Sequence, residues 1–191
     1  KENTDHLKYE FYALCQFNPR YYKFPGGMPV PVSKKDIPYL HKYYVCEKTD
    51  GCRYMLFVTS TGSTYLVDRL MQFYKLDVTH QTQTKIFSTV LDGELVQCND
   101  GSYIYLIFDV YNVNGVLVKN DVLHKVRMNA YTACAKGAIH VTHKYISIEL
   151  RPKRFHTVNE FNFEHDEQYK SDGFIFTPMR RKIFHGTDKR T

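Results

Sequence analysis

Three Asp-Gly pairs have neighbours that suggest chemistry: Lys48-Thr49-Asp50-Gly51, Asp92-Gly93-Glu94 and Ser171-Asp172-Gly173. An isolated Asp-Gly marks a turn, because the pair tolerates positive φ. Here each pair has company. The first stands in Glu47-Lys48-Thr49-Asp50-Gly51-Cys52-Arg53, the second puts a glutamate at the start of an apolar strand, and the third runs into Phe-Ile-Phe-Thr-Pro. Strand-forming Tyr, Val, Leu and Phe flank Lys48, which predicts that it projects from a turn into a pocket. Desolvation or a neighbouring cation lowers the pKa of such a lysine, and its neutral amine is a nucleophile. Glu94 and Asp172 can hold a divalent cation, which polarises a phosphate and neutralises its leaving group. Arg53 and Arg69 can clamp phosphate or ribose oxygens. The competing reading is a surface lysine with unrelated turn carboxylates.

The elements that must position these residues follow from periodicity. Apolar spacing predicts a first helix over 4–16, then an irregular Pro- and Gly-rich loop over 24–32. Ser33, three residues before Asp36, predicts a reciprocally capped short helix reaching about His41. Strands are expected at 43–47, 52–58 and 64–68, with turns KTDG and STGS between them. A less regular stretch over 71–88 precedes a hairpin, TVLDGELVQ and YIYLIFDVY, closed by Asn99-Asp100-Gly101-Ser102. A helix over 122–136 stopping at Gly137, a strand at 145–150, a helix at about 157–168 and a last strand GFIFTP complete the chain. The expected class is α+β, with mostly antiparallel, hairpin-linked strands. The glycine fingerprints of Rossmann and P-loop nucleotide sites are both missing from the sequence.

The 191 residues are 43% hydrophobic, 24% charged and 15% aromatic, which excludes a disordered chain. No apolar run is long enough to span a bilayer, so no membrane partner is expected. The first twenty residues mix charges into apolar positions and match neither a signal nor a transit peptide. A net charge of +6 favours polyanionic partners such as nucleotides or RNA. Five scattered cysteines with no C-x-x-C pair read as reduced thiols of an intracellular protein. Cys134, His140 and His143 come nearest to a metal pattern, but their spacing fits no common zinc module.

EKTDGCR, the Asp-Arg of LVDRL, TVLDGELV, YLIFDVYNVNG and SDGFIFTP together resemble, in order, the motifs of covalent nucleotidyltransferases. These are the mRNA capping enzymes (RNA guanylyltransferases) and the ATP-dependent polynucleotide ligases. The match covers nearly the whole chain. Asp172-Gly173 in place of the ligases' Glu-Gly, the FPGGMPV segment and Asn114-Gly115 are similar to the capping branch. The resemblance implies an ATP-grasp-like or DNA ligase-like nucleotidyltransferase domain, with twisted sheets flanked by helices.

It also implies a reaction. Lys48 would attack the α-phosphate of GTP, release pyrophosphate and carry a lysyl-N–GMP, which passes to the 5′-diphosphate end of RNA to form the GpppN cap. Glu47 and Thr49 would lie beside the base, and Arg53 and Arg69 would contact ribose or phosphate. Glu94 and Asp172 would serve the ribose and a Mg²⁺ or Mn²⁺ ion, and Phe108 would stack on guanine. The basic side chain near guanine O6 would be Arg151 or Lys153, and spacing does not choose between them. An RNA triphosphatase and the tail of RNA polymerase II are implied partners. The implied location is the nucleus, or the cytoplasm for a virus.

Two other functions compete, an ATP-dependent RNA or DNA ligase and a non-catalytic remnant binding RNA or polymerase. The chain reads HGTDKRT to Thr191, before the family's Lys-x-Lys strand and OB-fold. Residues 1–191 are therefore expected to be one nucleotidyltransferase domain, incomplete at its C-terminus and weak in adduct formation.

Overall fold

A computed structural model describes residues 4–18, 23–81, 86–136, 139–143, 146–183 and 186–187. In chain order it contains α1 (Asp5–Cys15), β1 (Gly27–Met28), a 3-10 helix (Ile37–Lys42), β2 (Tyr43–Thr49), β3 (Cys52–Val58) and β4 (Thr64–Val67). Then follow β5 (Phe73–Gln81), β6 (Thr89–Gln97), β7 (Tyr103–Val113), β8 (Val116–Leu117), α2 (His124–Lys136) and β9 (Ile139–His143). β10 (Ile146–Pro152), β11 (His156–Thr157), β12 (Ser171–Pro178) and β13 (Gly186–Thr187) complete the described chain. The architecture is mostly β, with few helices.

Seven strands close on themselves in the order β10-β9-β5-β4-β3-β6-β7, because β10 pairs antiparallel with β9 and parallel with β7. β8 extends the outer edge of β7. Strands β3, β6 and β7 bury both faces, so they read as near-continuous apolar runs. In β3, Met55 and Phe57 join α1 residues Leu7, Phe11 and Cys15 in one core, while Leu56 and Val58 join α2 residues Tyr131, Cys134 and Ala135 in another. This division follows the two-residue strand period. A separate antiparallel sheet, β11-β2-β12, carries Lys48 on β2 and Asp172 on β12.

Several elements depart from expectation. The segment over 71–88 contains a nine-residue strand, β5, which is paired between β4 and β9. No helix forms over 157–168. Thr157-x-x-Glu160 closes only a turn, with Thr157 Oγ1 donating to Glu160 Oε2 at 2.7 Å, and Phe161 and Phe163, two residues apart, both pack on Phe174. Ser33 donates through N and Oγ to Asp36 Oδ2, at 2.7 Å each, and the helix that follows is 3-10, starting at Ile37. Lys48 lies inside β2 and not in a turn. Gly137 is outside the described residues.

Candidate active site

A cavity of about 440 Å³ opens between the closed sheet and the three-stranded sheet. From one side come Arg53 of β3, Asp92 and Glu94 of β6, and Phe108 and Asp109 of β7. From the other come Cys46, Lys48 and Thr49 of β2, and Ile175 and Phe176 of β12. Arg69, Arg127, Lys153, Arg181 and Lys182 also line it. The wall thus holds seven Lys or Arg side chains against four Asp or Glu, a surplus that attracts polyanions.

Lys48 Nζ donates to Asp172 Oδ1 at 2.6 Å, with both side chains about half exposed. Local backbone makes this possible. Opposite Lys48, β12 carries one extra residue between Ser171, paired with Thr49, and Phe174, paired with Glu47. That bulge contains Gly173 at φ +147°, a conformation L side chains rarely adopt, and it re-aims Asp172 toward the amine. Asp172 pushes the Lys48 pKa above its ordinary value, chiefly by hydrogen bonding and then by charge, while Lys48 holds the Asp172 carboxyl below the usual range. The expected lowering of the lysine pKa is therefore reversed. Lys48 is too exposed for desolvation to dominate, and its nearest charge is an anion.

A second bulge shapes the opposite wall. Asp92 pairs with Asp109 and Gly93 with Ile107, which leaves Phe108 as the extra residue on β7. A ring that would otherwise follow strand alternation turns into the cavity instead. Under it, Lys153 Nζ lies 6.0 Å from the ring centroid and donates to Thr49 Oγ1 at 3.1 Å. Thr49 Oγ1 in turn donates to Glu94 Oε2, and Lys153 lies 3.6 Å from the same oxygen. Lys153 is 5% exposed at its side chain, and the Lys153–Glu94 pair keeps that burial tolerable.

Arg53 makes a two-pronged contact with Asp92, Nε to Oδ1 at 3.0 Å and Nη2 to Oδ2 at 2.6 Å. Its Nη1 donates to the Gly27 carbonyl, and its guanidinium lies 5.2 Å from the Phe108 ring centroid and 5.4 Å from that of Phe24. Arg53 therefore fastens the 24–29 loop to β6 as well as facing the cavity. Burial raises the Asp92 pKa, and Arg53 counters it.

The structure brings Lys48, Thr49, Arg53, Arg69, Glu94, Phe108 and Lys153 to one cavity, with Asp172 on Lys48 at its rim. Glu47 and Arg151 do not line it. The Glu47 carboxylate instead accepts from the Asp166 N–H at 2.7 Å and lies 3.2 Å from His165 Nδ1. Arg151 is held by Glu149 and Gln168.

Asp92 and Arg127 were not predicted as site residues. Asp92 sits in TVLDGELV, whereas Arg127 has no signal beyond a charge within a helix. Asp109, which the resemblance implies is structural or hydrogen-bonding beside Phe108, accepts from Arg127. Among the described residues no three His, Cys, Asp or Glu side chains cluster to hold a metal. Cys134 is buried, its thiol pushed up to about 11, and His143 Nδ1 lies 3.2 Å from the Lys75 carbonyl oxygen; the His140 side chain is outside the described residues. Glu94 lines the cavity and Asp172 accepts from the cavity lysine Lys48, and carboxylates of this kind suit a hard cation whose remaining ligands are phosphate oxygens and water.

Fold and site together define a mostly β protein whose cationic cleft, between the closed sheet and the three-stranded sheet, presents a strand lysine paired with a carboxylate. The family model "mRNA capping enzyme, catalytic domain" matches residues 1–191, and the chain belongs to that family. The mRNA-capping enzyme subunit alpha of Yarrowia lipolytica is 30% identical over 194 aligned positions, covering 87% of this chain and 49% of that protein. That of Schizosaccharomyces pombe is 36% identical over 121 positions, covering 53% and 30%, and that of Candida glabrata 28% over 196, covering 82% and 42%. The chain thus spans half or less of the length of these relatives. No described helix is long and apolar enough to cross a membrane.

Proposed function

We propose that the chain is the nucleotidyltransferase domain of an mRNA guanylyltransferase. Membership of the capping family supports this, and the Lys48–Asp172 contact in a cationic cleft carries it. The fold finer than "mostly β" is, on this reading, the covalent nucleotidyltransferase fold. The Lys48 amine, having lost a proton, attacks the α-phosphorus of GTP. An N–P bond forms, the bond between the α-phosphorus and the bridging oxygen breaks, and pyrophosphate leaves. A β-phosphate oxygen of 5′-diphosphate RNA then attacks the same phosphorus. The N–P bond breaks, the lysine regains its proton, and GpppN is released.

Phe108, raised from its strand by a bulge, offers a face for guanine, and Ile175 lines the same cavity from the other sheet. Lys153, buried near that ring, is the better candidate than Arg151 for guanine O6. Thr49 and Glu94 orient Lys153 and face the ribose, while Arg53 and Arg69 face ribose or phosphate. Asp172 and Glu94 would hold Mg²⁺ or Mn²⁺. Such an ion stabilises the charge that develops on the α-phosphate and pyrophosphate. Asp172 also orients the Lys48 amine, which must shed its proton before attack. The RNA would come from an RNA triphosphatase, at the tail of RNA polymerase II in the nucleus.

The test is incubation with α-labelled GTP and Mg²⁺ or Mn²⁺, followed by a denaturing gel. Weak label should stay on the chain, vanish in Lys48→Ala, and be chased onto 5′-diphosphate RNA. Labelling from ATP and not GTP would instead make the chain ligase-like.

A further inference from the structure

We infer that Arg127 is a positioning residue: it holds the segment 181–183 in the cavity wall so that Arg181 and Lys182 bind the polyphosphate of the nucleotide. The nucleotide as ligand rests on the proposed function, whereas the polyanion chemistry rests on the site itself.

The Arg127 side chain is 3% exposed, and its guanidinium makes four hydrogen bonds to protein. Nε donates to Asp109 Oδ1 at 2.7 Å and Nη2 to Asp109 Oδ2 at 3.2 Å. Nη1 donates to the Asp121 carbonyl at 2.6 Å and to the Arg181 carbonyl at 2.8 Å. A planar fork suits this set of acceptors, and an ammonium cannot reproduce it. The start of α2 holds the same stretch twice more. His124 N donates to the Met179 carbonyl at 3.0 Å, and Leu123 bridges to Arg180. Two residues beyond Arg181, Ile183 packs against the core of Leu7, Phe11 and Met71.

The segment is therefore pinned on both sides of Lys182, whose own side chain is exposed and does not fix its place. Arg181 and Lys182 line the cavity between those pins. Asp109, gripped by the same guanidinium, follows Phe108 directly, so one buried arginine joins the aromatic shelf to the basic segment. Loosening it frees the two cations to sample solvent. Polyphosphate then loses contacts that a ligand with a single phosphate does not make.

Calorimetric titration with inorganic tripolyphosphate, GTP and GMP tests the inference, using wild type, Arg127→Lys, and Arg181→Ala/Lys182→Ala. Both variants should weaken tripolyphosphate and GTP by about tenfold or more, and GMP by less than about threefold. Equal losses for GTP and GMP in Arg127→Lys, or an unchanged tripolyphosphate affinity, overturn it. Should Arg127→Lys fail to fold, the surface double variant decides alone, and unchanged tripolyphosphate binding there overturns the inference. A wild type that binds no tripolyphosphate also overturns it. Wild type that binds tripolyphosphate, loses it in the double variant, and is labelled from ATP and not GTP refutes the guanylyltransferase reading while upholding this one.

Discussion

Lys48 and Asp172 stand 124 positions apart in the chain, yet the ammonium of one lies 2.6 Å from the carboxylate of the other. Two adjacent antiparallel strands and one bulge bring them together. The contact holds the proton on the residue whose lone pair the proposed reaction needs. The resting arrangement thus stores the nucleophile in its unreactive form.

Asp172→Asn should let the Lys48 pKa fall back toward the ordinary 10.5. Amine-selective acylation of Lys48, read by peptide mass spectrometry across pH, should titrate at lower pH in the variant. An unchanged profile would mean that Glu94 and Asp50, the other anions acting on Lys48, set its pKa. The same pair stabilises the fold between a carboxyl pKa below 3.8 and an amine pKa above 10.5, and is lost as pH falls through the first or rises through the second. Both groups are exposed, so added salt shrinks the effect.

Lys153→Ala strands Glu94 in a poorly solvated wall and should destabilise the fold by about 3 kcal/mol. On the proposed function it should also reduce the preference for GTP over ATP by about tenfold or more. Competition labelling measures the second effect and thermal melting the first. Retained selectivity would move the O6 contact elsewhere.

Asp92→Ala leaves the buried Arg53 guanidinium without its carboxylate and should cost about 3 kcal/mol. The urea midpoint should drop while the slope stays constant. Limited proteolysis should reach the 24–29 loop sooner, since Arg53 holds the Gly27 carbonyl.

Gly173→Ala places a Cβ on a residue at φ +147°, with nothing within 4 Å to collide with it. Its penalty is therefore conformational, about 1–3 kcal/mol. Relief of the strain would flatten the bulge and turn Asp172 away from Lys48. Slower adduct formation with a modest drop in Tm is expected, and full labelling would detach the bulge from the chemistry.

The sequence determined the motif set, most strands and the charge balance. The near-continuous apolar runs over 52–58, 89–97 and 103–111 are legible as strands because they are short, rich in β-branched and aromatic residues, and bounded by turn residues. Lys48, Glu94, Phe108 and Asp172 were identifiable because their motifs are local in the chain. No helix forms at 157–168, where Thr157 and Glu160 close only a turn. β5 makes a local hairpin with β4, and Tyr74, Leu76 and Val78 alternate with Lys75 and Asp77, so its strand signal was present in the sequence and was missed.

Tertiary packing alone chooses Lys153 over Arg151 as a cavity residue, engages Glu47 with Asp166 and His165 away from the cavity, and reveals the buried pairs Arg53–Asp92 and Arg127–Asp109. It also reversed the expected direction of the Lys48 pKa. The reason is the same in each case. Burial, bulge direction and the nearest charge depend on elements that meet across 18 residues for Arg127–Asp109, 39 for Arg53–Asp92 and 124 for Lys48–Asp172, and a local pattern carries no information about which of them will meet.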